Sequence, residues 1–477
     1  MTGLLLLIER VTKELGDNIM SQMSEYNSAV TWNPWHGCKK VSEGCANCYV
    51  YAQDKRYGRD TTVVTKGATT YKLKAPIGST VMLCFSSDFF IPDADIWRDG
   101  CWDEIRYRTD CKFIIPTKRP ERIKECVPDD WGDGWDNVLV IASVENQKMA
   151  DKRLADLCDA PLKHRGVFCA PLIAPVSLAK WLDTGMIDEV SVGGDNASSY
   201  LARPLSYQWV FNIYRECIER DVAFWFHQTG TIFIKDGLDY GESRHGKMIE
   251  VANEFAEVLA NDYNVLKSRI DSAFTYTKDR MNYLLWQSSV IEGKPVGLLN
   301  IDGILSGVKP DNVDIRDAAF ISNLKTAWDF MLLTVSEKIT VKYISQLNKI
   351  CGDNGLIYGS GTLRVIETTI TGTSYVPDIP EYDVVANGLD VLSAIEEPIA
   401  RAIALFCFIA RGQFFVDGNK RVAQLILNKV LISEGIGIVM FNNYDDIDEL
   451  KRLLIEYYET ANPTRMFTFI KKYIRRV

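Results

Sequence analysis

The chain has 477 residues, 47% of them hydrophobic and 25% charged, with a formal net charge of −9. That length allows more than one core, the composition excludes a disordered chain, and the negative balance argues against broad, sequence-independent nucleic-acid binding. No apolar run reaches the roughly 20 residues of a membrane span, and "LLLLI" near the start is too short for a signal-peptide core; the expected location is therefore the cytoplasm, with residues 1–27 a dispensable leader.

From about residue 28 to 230, apolar β-rich runs recur with helical patterns between many of them, which reads as repeated βα units. The runs are "TVMLCFSSD", "CKFIIPTKRP", "NVLVIASVENQ", "GVFCAPLIAP", "IDEVSVGGDN" and "VAFWFHQTG", after a first strand in "AVTWNP". Nearly all of the six end on a polar or glycine tip. In parallel βα folds such tips converge at the carboxyl end of the sheet, where reacting groups and ligands sit. The expected pocket contains Asp88, Thr117, Lys118, Arg119, Glu145, Asn146, Gly193, Gly194, Asp195, His227 and Gln228. Asp88, Lys118 and Glu145 are its candidates for catalysis; Asn146, Gly193, Gly194 and Asp195 are its candidates for cofactor binding.

Ten of the 12 cysteines precede residue 220, and no histidine follows His245. This asymmetry predicts two domains with different chemistries. In "GCKKVSEGCANCYVYA", Cys38, Cys45 and Cys48 have six and then two residues between them. Three thiolates on one loop can hold three irons of a four-iron, four-sulfur cluster and leave the fourth open. Zinc is the alternative, with His36 or Cys84 completing a tetrahedron.

"TWNPWHGCKKVSEGCANCY", "SSDFF", "TKRPERI", "ASVENQ", "VGGDN", "ARP" and "HQTG", in that order, resemble the phage-associated three-Cys-motif proteins, which are similar to radical SAM enzymes. The resemblance covers about residues 28–235 and implies an α/β fold, an incomplete (β/α) barrel. It also implies a cluster on Cys38, Cys45 and Cys48 with S-adenosylmethionine on the open iron. The chain departs from the pattern in its longer first cysteine spacing, in Ala170 where relatives carry an acid, and in "HQTG".

The polar stretch around 235–250, "KDGLDYGESRHGKMIE", reads as a linker closing a domain of residues 28–240. Beyond it the pattern turns helical over 250–477, interrupted by a predicted β-hairpin flap in "RVIETTITGTSYVPDI". In "ARGQFFVDGNKRVAQLILN", an acid, a glycine, an amide and two cations lie between two apolar helices. The N-terminus of the second helix, with Gly418, Asn419, Lys420 and Arg421, is expected to bind phosphate, and Asp417 to hold magnesium.

"QFFVDGNKR" resembles the Fic family pattern except at its first position, where Gln413 stands in place of histidine. "SSVIEG" at 288–293, with Ser288, Glu292 and Gly293, is similar to that family's inhibitory helix; "GTLRV" and "TSYVPDIPE" at 373–381 are similar to its turn and its target-docking flap. The resemblance implies an all-α domain that binds ATP or a related nucleotide with magnesium, and a protein partner at the flap. In active members the histidine takes the proton from the attacking hydroxyl; Gln413, the candidate catalytic position here, has no basic site. Gln424 stands where many members carry a second arginine, the usual partner of the inhibitory glutamate. The leading expectation is an iron–sulfur domain fused to a nucleotide-binding domain of reduced transferase activity. Its alternatives are an active adenylyltransferase and a zinc-stabilised scaffold.

Overall fold

The structure is a computed structural model that describes residues 29–68, 71–308 and 310–477. The leader expected over 1–27 lies outside the described residues. The chain divides into two compact units, Met1–Tyr263 and Asn264–Val477.

In the first unit seven strands form one parallel sheet: β1 (Val30–Trp32), β2 (Thr80–Leu83), β3 (Lys112–Thr117), β4 (Val138–Ser143), β5 (His164–Cys169), β6 (Glu189–Gly193) and β7 (Ala223–Gln228). Their order in the sheet is their order in the chain, and β1 and β7 are its two open edges. Helices α1 (Asp95–Tyr107), α2 (Gln147–Asp159) and α3 (Tyr207–Ile218) cross between β2 and β3, β4 and β5, and β6 and β7. Successive βα crossovers of one hand curl such a sheet, and the result is the expected incomplete barrel. The strands are continuous apolar runs because both faces are covered: Phe113, Ile114 and Ile115 are all buried, as are Val190 and Val192. In β7 the register shifts between Phe226 and Gln228, leaving His227 outside the ladder at a bulge.

The polar stretch 235–250 does not form a linker. Phe233–Lys235 pairs antiparallel with Leu238–Asp239, and helix α4 (His245–Asp279) starts directly afterwards, so the unit boundary falls inside that helix.

The second unit is helical around a single apolar core. Its elements include α5 (Met281–Ile291), α6 (Ile315–Leu333), α7 (Val341–Cys351), α8 (Pro398–Gly412), α9 (Asn419–Ser433), α10 (Tyr444–Thr460) and α11 (Thr464–Lys472). Val422, Ala423, Leu425, Ile426, Leu431 and Ile432 place α9 at the centre of that core. One local expectation is corrected: the flap at 364–381 is present as irregular chain without a strand ladder. The basic tail "IKKYIRRV" leaves its helix at Lys472, and β9 (Ile474–Arg476) pairs antiparallel with β8 (Gly437–Val439). Among the described residues no helix is long and apolar enough to cross a membrane.

Candidate functional site

The cysteine loop leaves the carboxyl end of β1. His36 Nε2 bonds both oxygens of the buried Asp54 carboxylate, at 2.9 and 2.8 Å, and Thr61 Oγ1 donates to the same group at 2.8 Å. The main-chain N–H of Cys38 then donates to the Thr61 carbonyl at 2.7 Å, which fixes where the loop begins. Cys45 ends a short 3-10 turn, and Cys48 is the N-cap of the helix Tyr49–Arg56. All three thiols are part-exposed and free. Burial pushes the Cys38 thiol up to about 11, against the opposing pull of Arg119.

Three strand-tip acids surround this loop, each paired with an arginine. Asp88, after β2, accepts from Thr117 Oγ1 at 2.8 Å, the Lys118 N–H at 2.9 Å and Arg119 Nη1 at 3.0 Å. Glu145, after β4, is fully buried and accepts from Arg153 Nη1 at 2.7 Å and the Gly44 N–H at 3.3 Å. Asp195, after β6, accepts from Arg203 Nε at 2.7 Å and Asn47 Nδ2 at 2.9 Å. A carboxylate removed from water in this way requires a cation or donors in compensation. Burial raises the Glu145 carboxyl, but a hydrogen bond from Ser42 and the Lys118 and Arg153 cations outweigh it and hold it below its ordinary value. Gly44 has to be glycine for this approach: a Cβ there would lie 2.9 Å from Glu145 Cδ.

The remaining predicted residues divide by role. Asn146 caps α2, accepting from the Met149 N–H at 3.0 Å, and its amide reaches Glu43 Oε2 at 3.4 Å. Gln228 Nε2 donates to the Gly194 carbonyl at 2.7 Å, and a Cβ on Gly194 would meet the Thr229 oxygen at 2.3 Å, so these residues knit two strand ends together. His227 is held neutral by burial and by His245, down to about 4. Lys118 is half-buried among Glu145, Cys45, Arg153 and Asp88; burial lowers its ammonium, which takes no hydrogen bond among the described residues.

For a metal, the donor chemistry fits: three free thiols on one loop, with Arg119 Nη1 3.9 Å from Cys38 Sγ. The sulfurs are not drawn around one centre, and among the described residues no three His, Cys, Asp or Glu side chains are gathered as for an ion. His36 is engaged by Asp54, and Cys84 is buried with its thiol pushed far up by that burial.

The second candidate lies between α8 and α9. Gln413 ends α8 in the left-handed region, at φ 45° and ψ 53°. Both ends of its amide are used: Nε2 donates to the Ala410 carbonyl at 2.6 Å, and Oε1 accepts from Asn419 Nδ2 at 3.1 Å. Asn419 closes the loop on itself, accepting from the Phe415 N–H at 2.9 Å and donating to the Phe415 carbonyl at 2.8 Å. Gly418, at φ +85°, turns the chain into α9. Asp417 accepts from the Gly418 N–H at 2.6 Å and Arg421 Nη2 at 2.9 Å, while its side chain remains 60% exposed.

Around the start of α9, Lys420 Nζ lies 3.6 Å from Glu292 Oε2. Arg421 is buried, its Nε without a hydrogen-bond partner, and Glu292 Oε1 is likewise buried and unpartnered. Ser288 Oγ donates to Gln424 Oε1 at 3.0 Å. Gln424 thus engages the serine of the predicted inhibitory motif, and Lys420 takes over its glutamate. A carboxylate beside two cations at a helix N-terminus occupies a place suited to a phosphate.

Several residues of both sites escaped the sequence reading. Arg364 is buried and donates from Nε to the Gln413 carbonyl at 2.6 Å, from Nη1 to Ile366 at 2.6 Å, and from Nη2 to Pro377 at 2.9 Å and to Asp378. It ties both arms of the flap to the glutamine loop. Asn348 Nδ2 donates to the Asp417 carbonyl at 2.8 Å and its Oδ1 accepts from the Gly361 N–H at 2.9 Å. A signal existed: Asn348 and Arg153 fall on the buried stripes of α7 and α2, where a polar side chain needs a partner.

Comparison with known proteins gives two family matches. The family described as protein of unknown function (DUF5131) matches residues 23–285, and the Fic/DOC family matches residues 338–431. No curated protein matches the chain. Among solved structures, it is similar to Fic-1 from C. elegans, at 18% identity over 56% of this chain and 78% of that one, with a TM-score of 0.36. A Fic domain-containing signalling protein from Bacteroides thetaiotaomicron is 17% identical over 44% of this chain and 90% of that one, with a TM-score of 0.37. An IbpAFic2 variant in complex with adenylylated Cdc42 is 19% identical over 48% and 81%, with a TM-score of 0.26.

Proposed function

From the premise that this chain belongs to the DUF5131 family of proteins of unknown function and carries a Fic/DOC domain, we propose that it joins an iron–sulfur domain to a nucleotide-binding domain that does not transfer its nucleotide. The observation that carries the second half is the pairing of a tied Gln413 amide with a partly unsatisfied Arg421.

Phosphate would be held by the first N–H groups of α9 and by Lys420 and Arg421, once Glu292 gives up its place beside Lys420. Magnesium would be held by Asp417, whose exposed carboxylate retains free lone pairs. Transfer to a hydroxyl requires a group that accepts a proton, and an amide does not. Loss of that step lowers a rate by about 10²- to 10⁴-fold. A protein segment docked along the flap, which Arg364 holds to the glutamine loop, would be its partner.

In the first unit Cys38, Cys45 and Cys48 would hold the cluster, and Lys118, whose ammonium makes no hydrogen bond among the described residues, would meet a substrate. A four-iron cluster on three thiolates supplies one-electron chemistry at the iron without a protein ligand, where S-adenosylmethionine would bind.

The test for the second unit is calorimetric titration of ATP, ADP and AMP with magnesium into the full chain and its Glu292→Gly variant. The expected result is about tenfold tighter binding by the variant, about 1.4 kcal/mol, with no labelled AMP transferred to protein by wild type. Absence of nucleotide binding in both proteins overturns the reading. Transfer by wild type makes it an active adenylyltransferase instead.

A further inference from the structure

Each acid–arginine pair at the strand tips touches the loop next to a different cysteine. Arg119, paired with Asp88, donates from Nη2 to the carbonyl of Lys39, the residue after Cys38, at 2.8 Å. Glu145, paired with Arg153, accepts from the N–H of Gly44, the residue before Cys45, at 3.3 Å. Asp195, paired with Arg203, accepts from the side chain of Asn47, the residue before Cys48, at 2.9 Å, and Arg203 Nη1 also holds the Glu43 carbonyl at 2.8 Å. The acids follow β2, β4 and β6; the tie to Lys39 is made by Arg119, which follows β3, and the Asp195–Arg203 pair makes two ties. These ties join residues 80 to 160 positions apart.

We propose that Asp88–Arg119, Glu145–Arg153 and Asp195–Arg203 are positioning pairs, each setting the place of one metal-binding cysteine, and that Asp88 and Glu145 do not act on substrate. The proposal rests on the reading of Cys38, Cys45 and Cys48 as metal ligands. A loop of eleven residues from the first thiol to the last (38 to 48 inclusive) has many conformations; a rigid sheet edge that grips it beside every thiol removes most of the ordering entropy from the binding step. Groups that orient ligands in this way typically contribute 10- to 100-fold to metal affinity.

The test uses the full chain without oxygen, titrated with Co²⁺ and followed by thiolate-to-cobalt absorbance. Arg119→Lys keeps the charge beside Asp88 but loses the fork that reaches Lys39. Asn47→Ala removes a tie while leaving the Asp195–Arg203 pair intact, so both should fold, which near-UV circular dichroism checks. Each is expected to bind Co²⁺ at least tenfold more weakly than wild type. The matching of pair to cysteine is read from double variants. The Asn47→Ala effect should shrink to twofold or less when Cys48→Ser is already present, and persist at tenfold in the Cys38→Ser background; Arg119→Lys should show the reverse. Wild-type affinity in both single variants, or equal losses in every background, overturns the positioning role. A wild-type chain that gives neither cobalt–thiolate nor, after reconstitution with iron and sulfide, iron–sulfur absorbance overturns the metal reading and this proposal with it.

Discussion

The cysteine loop and the glutamine loop are both irregular segments held by buried polar groups, but the holders come from different distances. Around the cysteines the grip comes from strand tips far away in sequence, as in Glu145 on Gly44 and Asp195 on Asn47. The glutamine loop is closed mainly from within, by Gln413, Asn419 and Asp417, which bond residues no more than six positions away. A parallel sheet gathers distant tips at one edge, whereas a turn between two adjacent helices offers its own backbone groups as partners. The first loop therefore depends on the whole unit being folded; the second carries most of its instructions in one short stretch.

The sharpest break of this comparison is at Glu145. Glu145→Gln leaves the buried Arg153 without its counter-ion and should cost about 3 kcal/mol or more, read as the shift in a urea midpoint. Because the folded carboxyl lies below its ordinary value, its contribution is present above about pH 4.3 and is lost as pH falls through the folded value. The gap between wild type and variant should accordingly close below about pH 4. A gap independent of pH would mean that the charge is not what holds Gly44.

Arg364 and Asn348 are the long-range holders of the glutamine loop among the described residues, and Arg364 makes the larger set of bonds. Arg364→Ala removes donors from four carbonyls and is expected to destabilise by about 2–3 kcal/mol, with faster proteolysis at 365–381 than elsewhere in the second unit. Cleavage of the flap at the wild-type rate would show the two arms to be held independently of it. The smallest effect belongs to Gln413→Gly. Relief of the left-handed backbone, about 1 kcal/mol, offsets the lost amide bonds, so stability should stay within about 0.5 kcal/mol of wild type. A much larger loss would make the side chain, rather than the turn, the organiser of the loop.

How much was legible follows from the same contrast. The six polar-tipped runs gave the strands in order, and "QFFVDGNKR" gave the turn into α9, because strand alternation and helix capping are written in neighbouring residues. The sequence reading placed Asp88, Glu145 and Asp195 in one pocket as candidates for catalysis and cofactor binding; nothing local to these residues or to their arginines announces Lys39, Gly44 or Asn47 as neighbours of the pairs. The expected flap ladder and the expected linker failed for a related reason. Arg364 satisfies the flap carbonyls that a ladder would otherwise use, and short strands with the start of α4 take up the polar stretch 235–250.

By itself, the sequence determined two units of different architecture, the parallel order of the sheet, the placing of three thiols on one loop, and the absence of a proton-accepting side chain at position 413. Tertiary structure alone decided which charges face which: that the strand-tip carboxylates turn onto the cysteine loop, that Lys420 meets Glu292, and that Gln424 meets Ser288. Periodicity and capping are properties of residues a few positions apart, whereas the partner of a buried charge is whatever the fold brings within about 3 Å of it.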